Sequence, residues 1–241
     1  MILGIYGYQD SGKTTVVEGL VASLVKGGLK VASVKHSAHA DVADEEGKDT
    51  WRHSRAGSDP VALMTSEGTV VRIRGEVPVE KIVGMLEGAF SPDVVIIEGL
   101  KDGPYPKVAL GDIKPRDGTV LSNPTVTELT HYVTKEVLFE RALGSLPGLD
   151  CHKCGLDCQS MARAIAEGRR KPKDCKELPS RGVMITVGGK RIATGTFVSE
   201  IVDDTVRGML SSLKGYEPGK EVEIRLRPEG RKAKARKSKR V

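Results

Sequence analysis

Residues 2–28 read ILGIYGYQDSGKTTVVEGLVASLVKGG, and this stretch decides the fold class. A short β-prone run at residues 2–6 leads into residues 7–14, which match the phosphate-binding pattern G-x-x-x-x-G-K-[ST]. Apolar residues then recur at helical spacing until Gly27 and Gly28 end the helix. A phosphate-binding loop (P-loop) requires a strand before it and a helix after it. The stretch therefore predicts a P-loop nucleotide-binding domain.

Each residue type in the loop has a physical reason. Gly7 and Gly12 allow backbone angles and close approaches that a Cβ atom would block. Main-chain amides at the start of the helix point at phosphate oxygens, and the helix dipole favours their negative charge. Lys13 is predicted to reach the β- and γ-phosphates, and the Thr14 hydroxyl to ligate Mg²⁺. The predicted nucleotide contacts are Gly7, Gln9, Asp10, Ser11, Gly12, Lys13, Thr14 and Thr15.

The rest of the first 148 residues alternates between strand and helix patterns. This alternation predicts an α/β domain wound around a mainly parallel sheet. The predicted strands are residues 31–34, 60–65, 69–74, 93–98 and 131–134, and the predicted helices are residues 49–56, 78–90 and 135–146.

Glu98 ends the apolar run DVVIIE at residues 93–98. A carboxylate at the carboxyl end of a buried parallel strand lies at the edge of the sheet where the phosphate loop lies. Glu98 is therefore predicted to sit beside the metal, and Gly99 to let the chain turn sharply. Asp93, at the start of the same strand, is predicted to be a turn residue.

A polar loop follows the second predicted strand at the same edge. It contains His36 and His39, which are three residues apart, followed by Asp41 and Asp44. Metal ligation by these residues is one interpretation, but no cysteine lies near them, so the residues alone favour a solvated loop.

Four segments together are more specific than the phosphate loop alone: SGKTT, KHSAH, GKDTWRHSRAG and VVIIEGLKDGPYPKV. In their order and spacing, residues 1–146 resemble the MobB-type proteins of molybdenum-cofactor biosynthesis, which bind GTP. One departure lies around KHSAH, where the family often has another acidic or aromatic residue and this chain has Ala38 and Ala40.

The resemblance implies a homodimer that binds GTP with Mg²⁺ and has weak GTPase activity at most. It implies a partner, the molybdenum cofactor guanylyltransferase, which attaches GMP to molybdopterin to form molybdopterin guanine dinucleotide. Molybdenum or tungsten enzymes would be further partners. Beyond the loop, the resemblance implies that the site or a dimer groove is lined by Lys35, His36, Asp49, Arg52, Glu98, Gly99, Lys101, Pro106 and Lys107.

Every cysteine of the chain lies in one short segment: Cys151, Cys154, Cys158 and Cys175. Three close thiols and one remote thiol suit a cubane cluster, which needs one ligand for each iron. Zinc remains an alternative, although zinc sites more often pair two C-x2-C hairpins. Disulfides are disfavoured in a reducing cytosol. The segment CHKCGLDCQSMARAIAEGRRKPKDC also resembles the small four-cysteine iron–sulfur domain of corrinoid and electron-transfer proteins, which implies a [4Fe–4S] cluster.

The cysteines open a second predicted domain, a small α+β region at residues 149–228. Its sequence predicts a hairpin across Gly188 and Gly189, an amphipathic helix at residues 197–213 and a last strand at residues 222–226. Residues 229–241 are predicted to be a disordered basic tail. Subtracting the seven positive charges of residues 231–241 from the chain's +6 leaves a formal charge of −1 for the rest.

The composition is typical of a soluble globular protein, with 39% hydrophobic and 29% charged residues. No apolar run is long enough to span a membrane, and the first residues form a strand pattern where a signal peptide would be basic and apolar. These features predict a cytoplasmic protein.

Three functions fit these patterns. The first is a GTP-binding adapter for molybdopterin guanine dinucleotide formation with an appended iron–sulfur domain. The second is an ATP-dependent iron–sulfur carrier or redox-coupled ATPase. ATPases of that group carry an extra lysine early in the P-loop, and this chain has Tyr8-Gln9-Asp10 at that place. The third is a nucleic-acid module acting through the basic tail, which lacks the aromatic residues that stack on bases. No catalytic residue is assigned, because no water-positioning glutamine or arginine finger is identifiable.

Overall fold

The computed structural model of the chain describes residues 1–37, 46–178, 183–188 and 190–226. The chain divides into two compact units, Met1–Lys176 and Glu177–Val241. Three of the predicted features lie outside the described residues: the two alanines of the KHSAH loop, the polar residues His39, Asp41 and Asp44, and the basic tail.

A five-stranded sheet forms the centre of the first unit, and all of its strands are parallel. This confirms the predicted α/β class. Two short antiparallel strands, β3 and β4, pair only with each other among the described strands. The strand bounds are β1 Ile2–Gly7, β2 Val31–Lys35, β3 Val61–Met64, β4 Thr69–Arg72, β5 Val94–Glu98, β6 Lys107–Leu110 and β7 Thr119–Ser122, with the main sheet in the order β2-β5-β1-β6-β7.

The α-helices of the first unit are α1 Lys13–Lys26, α2 Asp49–Arg55, α3 Val79–Phe90, α4 Val126–Ser145 and α5 Cys158–Ala166. Helices α1 and α4 cover one face of the sheet, and α3 covers the other. Every residue of β5 is buried, because alternate side chains enter two cores. Val94 and Ile96 pack with α1 and α4 on one face, and Val95 and Ile97 pack with Val83 of α3 on the other.

Helix α4 replaces two predicted elements, so the predicted strand at residues 131–134 is wrong. A capping box starts the helix before that segment: the Glu128 N–H donates to Thr125 Oγ1 at 3.2 Å, and the Thr125 N–H donates to Glu128 Oε2 at 2.8 Å. Leu129, Val133 and Val137 then recur every four residues and are buried against the sheet. Val133, the fully buried residue of the predicted strand, thus belongs to a helical stripe.

The cysteine segment packs within the first unit. Met161 and Ala162 of α5 are buried against Ala142 of α4 and against Leu146, which directly follows α4. The compact unit accordingly extends to Lys176, past the boundary predicted at residue 148. Fully burying a side chain the size of Met161 contributes about 1.5–3 kcal/mol, so this small core joins the segment to the nucleotide-binding fold.

The second unit contains the predicted hairpin, formed by β8 Ile185–Val187 and β9 Lys190–Ile192, and the predicted helix, α6 Thr196–Ser211. The predicted strand at residues 222–226 is wrong, because these residues are neither helix nor strand and pair with none of the described strands. Over the described ranges, no helix is long and apolar enough to cross a membrane.

Candidate functional site

Three adjacent parallel strands bring the candidate nucleotide site together. Strand β1 leads into the P-loop, and its neighbour β5 ends at Glu98. Strand β2 ends at Lys35, which lies directly opposite Glu98 in the ladder. Because the strands are parallel, their carboxyl ends share one edge of the sheet. The structure therefore brings the P-loop, Lys35 and Glu98 together.

The glycines at the two ends of the loop have different physical reasons: close packing at Gly7 and backbone conformation at Gly12. A Cβ atom on Gly7 would overlap the Leu110 carbonyl oxygen and Ser11 Oγ. Gly12 has a φ of +77° immediately before α1, in the left-handed region that favours glycine. A side chain is therefore excluded by close packing at Gly7 and disfavoured by the backbone conformation at Gly12.

Glu98 is the central polar group of the site. The whole residue is 6% exposed, and its Oε1 accepts a hydrogen bond of 2.9 Å from the Thr14 hydroxyl. The same oxygen forms an ion pair with the Lys35 ammonium group. A buried carboxylate is costly unless charge and hydrogen bonds compensate it. Thr14 and Lys35 supply that compensation.

The turn after Glu98 depends on Gly99. Its φ is +93°, and a Cβ atom there would overlap the His36 carbonyl oxygen. The His36 N–H donates to the Glu98 carbonyl oxygen at 2.8 Å, and the Gly99 N–H donates to the Ile5 carbonyl oxygen at 2.8 Å. Main-chain hydrogen bonds thus extend the strand ladder beyond the last residues of β2 and β5, holding Glu98 in place.

Lys13 lies along the loop. Its ammonium group donates to the Tyr8 carbonyl oxygen and lies 3.4 Å from Ser11 Oγ. These partners are neutral, so the lysine can exchange them for a phosphate oxygen, a charge-assisted hydrogen bond of greater strength.

Asn123 is a supporting residue that sequence reasoning missed. Its side-chain Oδ1 accepts from the Gly111 N–H at 2.7 Å, and its Nδ2 donates to the Gly111 carbonyl oxygen at 3.3 Å. A Cβ atom on Gly111 would lie 3.2 Å from Ser11 Cβ. Asn123 therefore holds the end of β6 against the P-loop. The strands β6 and β7 that position it were not predicted, so no sequence signal could place it there.

Other predicted site residues lie at varied positions. Gln9, Asp10 and Thr15 are exposed in or just after the loop, and Lys101 is exposed beyond β5. Asp49 and Arg52 form an exposed ion pair of 4.0 Å within α2.

Lys107 opens β6, at the end of that strand away from the P-loop. It is 3% exposed, and its ammonium group donates to the Asp117 carbonyl oxygen at 2.8 Å. The preceding Pro106 accepts a hydrogen bond of 2.9 Å from the Gly4 N–H through its carbonyl oxygen. In this structure both residues support the sheet.

The cysteines form the second candidate site. Cys154, Cys158 and Cys175 are partly buried and pack against the small core of α4 and α5, whereas Cys151 is exposed. None of the four, all of which lie in the described residues, forms a disulfide. Four thiols are a donor set that an iron–sulfur cluster or a zinc ion accepts.

Two aspartates shape the turn that carries these thiols. Asp157 caps α5 by accepting from the Ser160 N–H at 2.7 Å and from the Ser160 hydroxyl at 2.9 Å. These hydrogen bonds lower the pKa of Asp157. Asp150 accepts from the Cys158 N–H at 2.8 Å. The local backbone around Cys158 is therefore fixed by hydrogen bonds, although no three His, Cys, Asp or Glu side chains of the described residues converge as they would around a single metal ion.

Comparison with known protein families gives two matches. A family model described as "Molybdopterin guanine dinucleotide synthesis protein B" (MobB) matches residues 2–129. A second family model, described as "Putative Fe-S cluster", matches residues 146–177 and so includes all four cysteines.

Individual proteins give consistent similarities. A Methanocaldococcus jannaschii protein named "Putative molybdopterin-guanine dinucleotide biosynthesis adapter protein" is 32% identical over 235 residues, which are 93% of this chain and 97% of that protein. A Haemophilus influenzae protein named "Molybdopterin-guanine dinucleotide biosynthesis adapter protein" is 39% identical over 112 residues, covering 45% of this chain and 62% of that protein. The crystal structure of Bacillus subtilis MobB has a TM-score of 0.44 and 23% identity, over 55% of this chain and 96% of that one.

Proposed function

The chain belongs to the MobB family of molybdopterin guanine dinucleotide synthesis proteins, and on that premise we propose that it is a GTP-binding adapter. In this proposal it assists a guanylyltransferase that attaches GMP to molybdopterin, forming molybdopterin guanine dinucleotide. The observation that carries the proposal is the convergence of the P-loop, Thr14 and the buried Glu98 at one edge of the sheet.

Thr14 and Glu98 fit a magnesium ion. Thr14 donates its proton to Glu98, so the lone pairs of its hydroxyl oxygen stay available to a cation. Hard oxygen donors of this kind suit Mg²⁺, which would neutralise charge on the nucleotide phosphates. Lys13 would leave the Tyr8 carbonyl oxygen for the phosphates, while the amides before α1 bind the same oxygens. We propose that the triphosphate is held and hydrolysed slowly at most.

The cysteine segment would hold a [4Fe–4S] cluster. Its four thiols outside disulfides support this, as does the packing of three of them around one small core. The cluster would be structural or would dock a redox partner, a molybdenum enzyme or a tungsten enzyme.

Calorimetric titration with Mg²⁺·GTP and Mg²⁺·ATP tests the nucleotide. We expect GTP to bind more tightly than ATP, and Lys13→Ala to weaken GTP binding by about 10- to 100-fold, the value of a charge-assisted hydrogen bond. Lys26→Ala is the matched control, because Lys26 is exposed in the last turn of the same helix. Equal affinity for the two nucleotides would contradict the proposal.

Anaerobic purification with iron, sulfide and zinc analysis tests the cluster. Iron and sulfide near four equivalents each are expected for the cubane. One equivalent of zinc without iron would refute it. ATP-driven transfer of the cluster to an apo-ferredoxin would instead favour an iron–sulfur carrier.

The partners are tested in the same preparation. We propose a cytoplasmic homodimer that recruits the guanylyltransferase, so the enzyme should co-elute with the chain when GTP is present. Loss of co-elution in Lys13→Ala would tie recruitment to the nucleotide, whereas a monomer that never retains the enzyme would contradict the adapter role.

A further inference from the structure

Lys35 forms an ion pair with Glu98 Oε1, the oxygen that a magnesium ion would use. It is the last residue of β2 and stands opposite Glu98, the last residue of β5. Its ammonium group pairs with Glu98 Oε1, which also accepts the hydrogen bond from the Thr14 hydroxyl. The positive charge of Lys35 therefore lies beside Glu98 Oε1, the carboxylate oxygen that also contacts Thr14.

The two members of this ion pair differ in exposure. The Glu98 side chain is 8% exposed, whereas the Lys35 side chain is 60% exposed. The carboxylate cannot leave its buried position and needs a positive charge beside it. The lysine has a flexible stem, and its ammonium group can return to water when another cation takes its place. The pair thus consists of a fixed anion and a movable cation.

Lys13 does not share this position. Its ammonium group is held by the Tyr8 carbonyl oxygen and Ser11 Oγ within the loop. The two lysines of the site therefore have separate partners, one on the P-loop and one on Glu98.

We propose that Lys35 is a displaceable counter-cation that makes metal binding depend on the nucleotide. Without nucleotide, the Lys35 ammonium group compensates Glu98 and repels a free divalent cation from Glu98 and Thr14. When the triphosphate brings its negative charge and its metal together, the ammonium group moves from the carboxylate to the phosphates and the metal takes its place. This role rests on the proposed function, because it assumes a metal–nucleotide complex at this edge.

Titration of the nucleotide-free protein with Mn²⁺, followed by electron paramagnetic resonance, tests the first half of the proposal. Lys35→Met keeps the length of the side chain and removes its charge. We expect Mn²⁺ to bind Lys35→Met about tenfold more tightly than wild type or more, because the competing charge is gone. Lys35→Arg should bind Mn²⁺ as weakly as wild type, because it keeps the positive charge, and Lys26→Met should have the same Mn²⁺ affinity as wild type. Unchanged Mn²⁺ affinity in Lys35→Met would overturn the proposal.

A second variant shows where the manganese binds. Lys35→Met combined with Glu98→Gln should lose the gained Mn²⁺ binding, since the carboxylate ligand is removed. If the double variant retained it, the ion would lie elsewhere and the role of Lys35 would be refuted. Melting temperatures of all variants show whether each remains folded.

The second half is tested by titrating Mn²⁺ with and without a saturating nucleotide. Wild type should gain Mn²⁺ affinity steeply on adding GTP, and Lys35→Met should gain less. An equal gain in both would overturn the coupling. A wild-type protein that binds neither GTP nor ATP would refute the proposed function, whereas the nucleotide-free Mn²⁺ result would still report on Lys35 as a competitor of the metal.

Discussion

The phosphate-binding edge and the cysteine segment belong to the same compact unit, yet they position their ligand-binding groups by different means. At the edge, a main-chain ladder places the backbone of Lys35 beside that of Glu98, and Gly99 continues the ladder beyond the strand. In the cysteine segment, thiols pack by their side chains on a small core, and Cys151 remains exposed.

The phosphate-binding edge is thus formed by the fold itself, whereas the cysteine segment needs its bound metal to reach its final arrangement. The ladder of β1, β2 and β5 exists whether or not a nucleotide is bound, because it is part of the central sheet. Thiolates brought together by a metal gain their final arrangement from the metal bonds, so binding free energy becomes local folding free energy. A substitution in the cysteine segment should therefore leave GTP affinity nearly unchanged, and a substitution at the phosphate-binding edge should leave iron content nearly unchanged.

Loss of one cysteine should give the largest effect. In Cys158→Ser we expect bound iron to fall from its full value to nearly none, because one iron of the cubane loses its thiolate. Affinity for GTP should stay within about twofold of wild type, less than 0.5 kcal/mol. Metal analysis and nucleotide titration on one preparation measure both quantities.

The matched control for this variant is His152→Ala, in the same turn. His152 is exposed and is not one of the four proposed ligands, so its removal should leave the iron content unchanged. A fall in iron content in His152→Ala, or a fall in GTP affinity in parallel with iron in Cys158→Ser, would break the separation between the two regions.

Gly99→Ala should give an intermediate effect in the opposite region. Its φ of +93° and the overlap of a Cβ atom with the His36 carbonyl oxygen both oppose any side chain. Strain of this kind costs about 1–3 kcal/mol. Chemical denaturation should show that loss of stability, and GTP affinity should fall because Glu98 shifts, with iron content unchanged.

Gly84→Ala is the control for Gly99→Ala. Gly84 lies inside α3, and a Cβ atom there meets nothing within 4 Å. Alanine should stabilise this helix by about 0.5–1 kcal/mol, so the two substitutions are expected to have opposite signs. Equal stability of Gly99→Ala and wild type would show that the end of β5 is less constrained than the ladder indicates.

Asp93→Asn should give the smallest effect, on stability alone. Asp93 lies before β5, at the edge opposite the nucleotide, where it accepts from the Lys30 N–H at 2.8 Å and pairs with Arg141 of α4 at 2.6 Å. Burial acts to raise the pKa of Asp93. The Arg141 guanidinium and the Lys30 amide together lower it by more, so the pKa of Asp93 lies below its usual value.

A carboxylate with a lowered pKa in the folded state stabilises the protein above its unfolded pKa and loses that contribution as the pH falls through the folded pKa. We expect Asp93→Asn to cost about 0.5–1 kcal/mol at neutral pH and progressively less below about pH 4. Denaturation at several pH values measures this. A loss of stability that persisted unchanged in acid, or a fall in GTP or iron binding, would contradict a purely stabilising role of the Asp93 carboxylate.

Much of the nucleotide site was predictable because its signals are local in sequence. The P-loop pattern and the apolar run ending at Glu98 indicated their positions without any tertiary information. The start of α4 was not predicted, although Thr125 and Glu128 have the spacing of a capping box. Strands β6 and β7 were not predicted; at four residues each they are as short as β3 and β4, which were, so a run of this length is an ambiguous signal.

The sequence by itself determined the class of fold, the phosphate loop and the four thiols, because each depends on residue types at fixed spacings along the chain. Only the tertiary structure decided that Lys35 lies on Glu98, that Asn123 supports the P-loop through Gly111, and that α5 packs on α4. Strand order and helix packing join residues that are far apart in sequence, and no local pattern records which distant residues become neighbours.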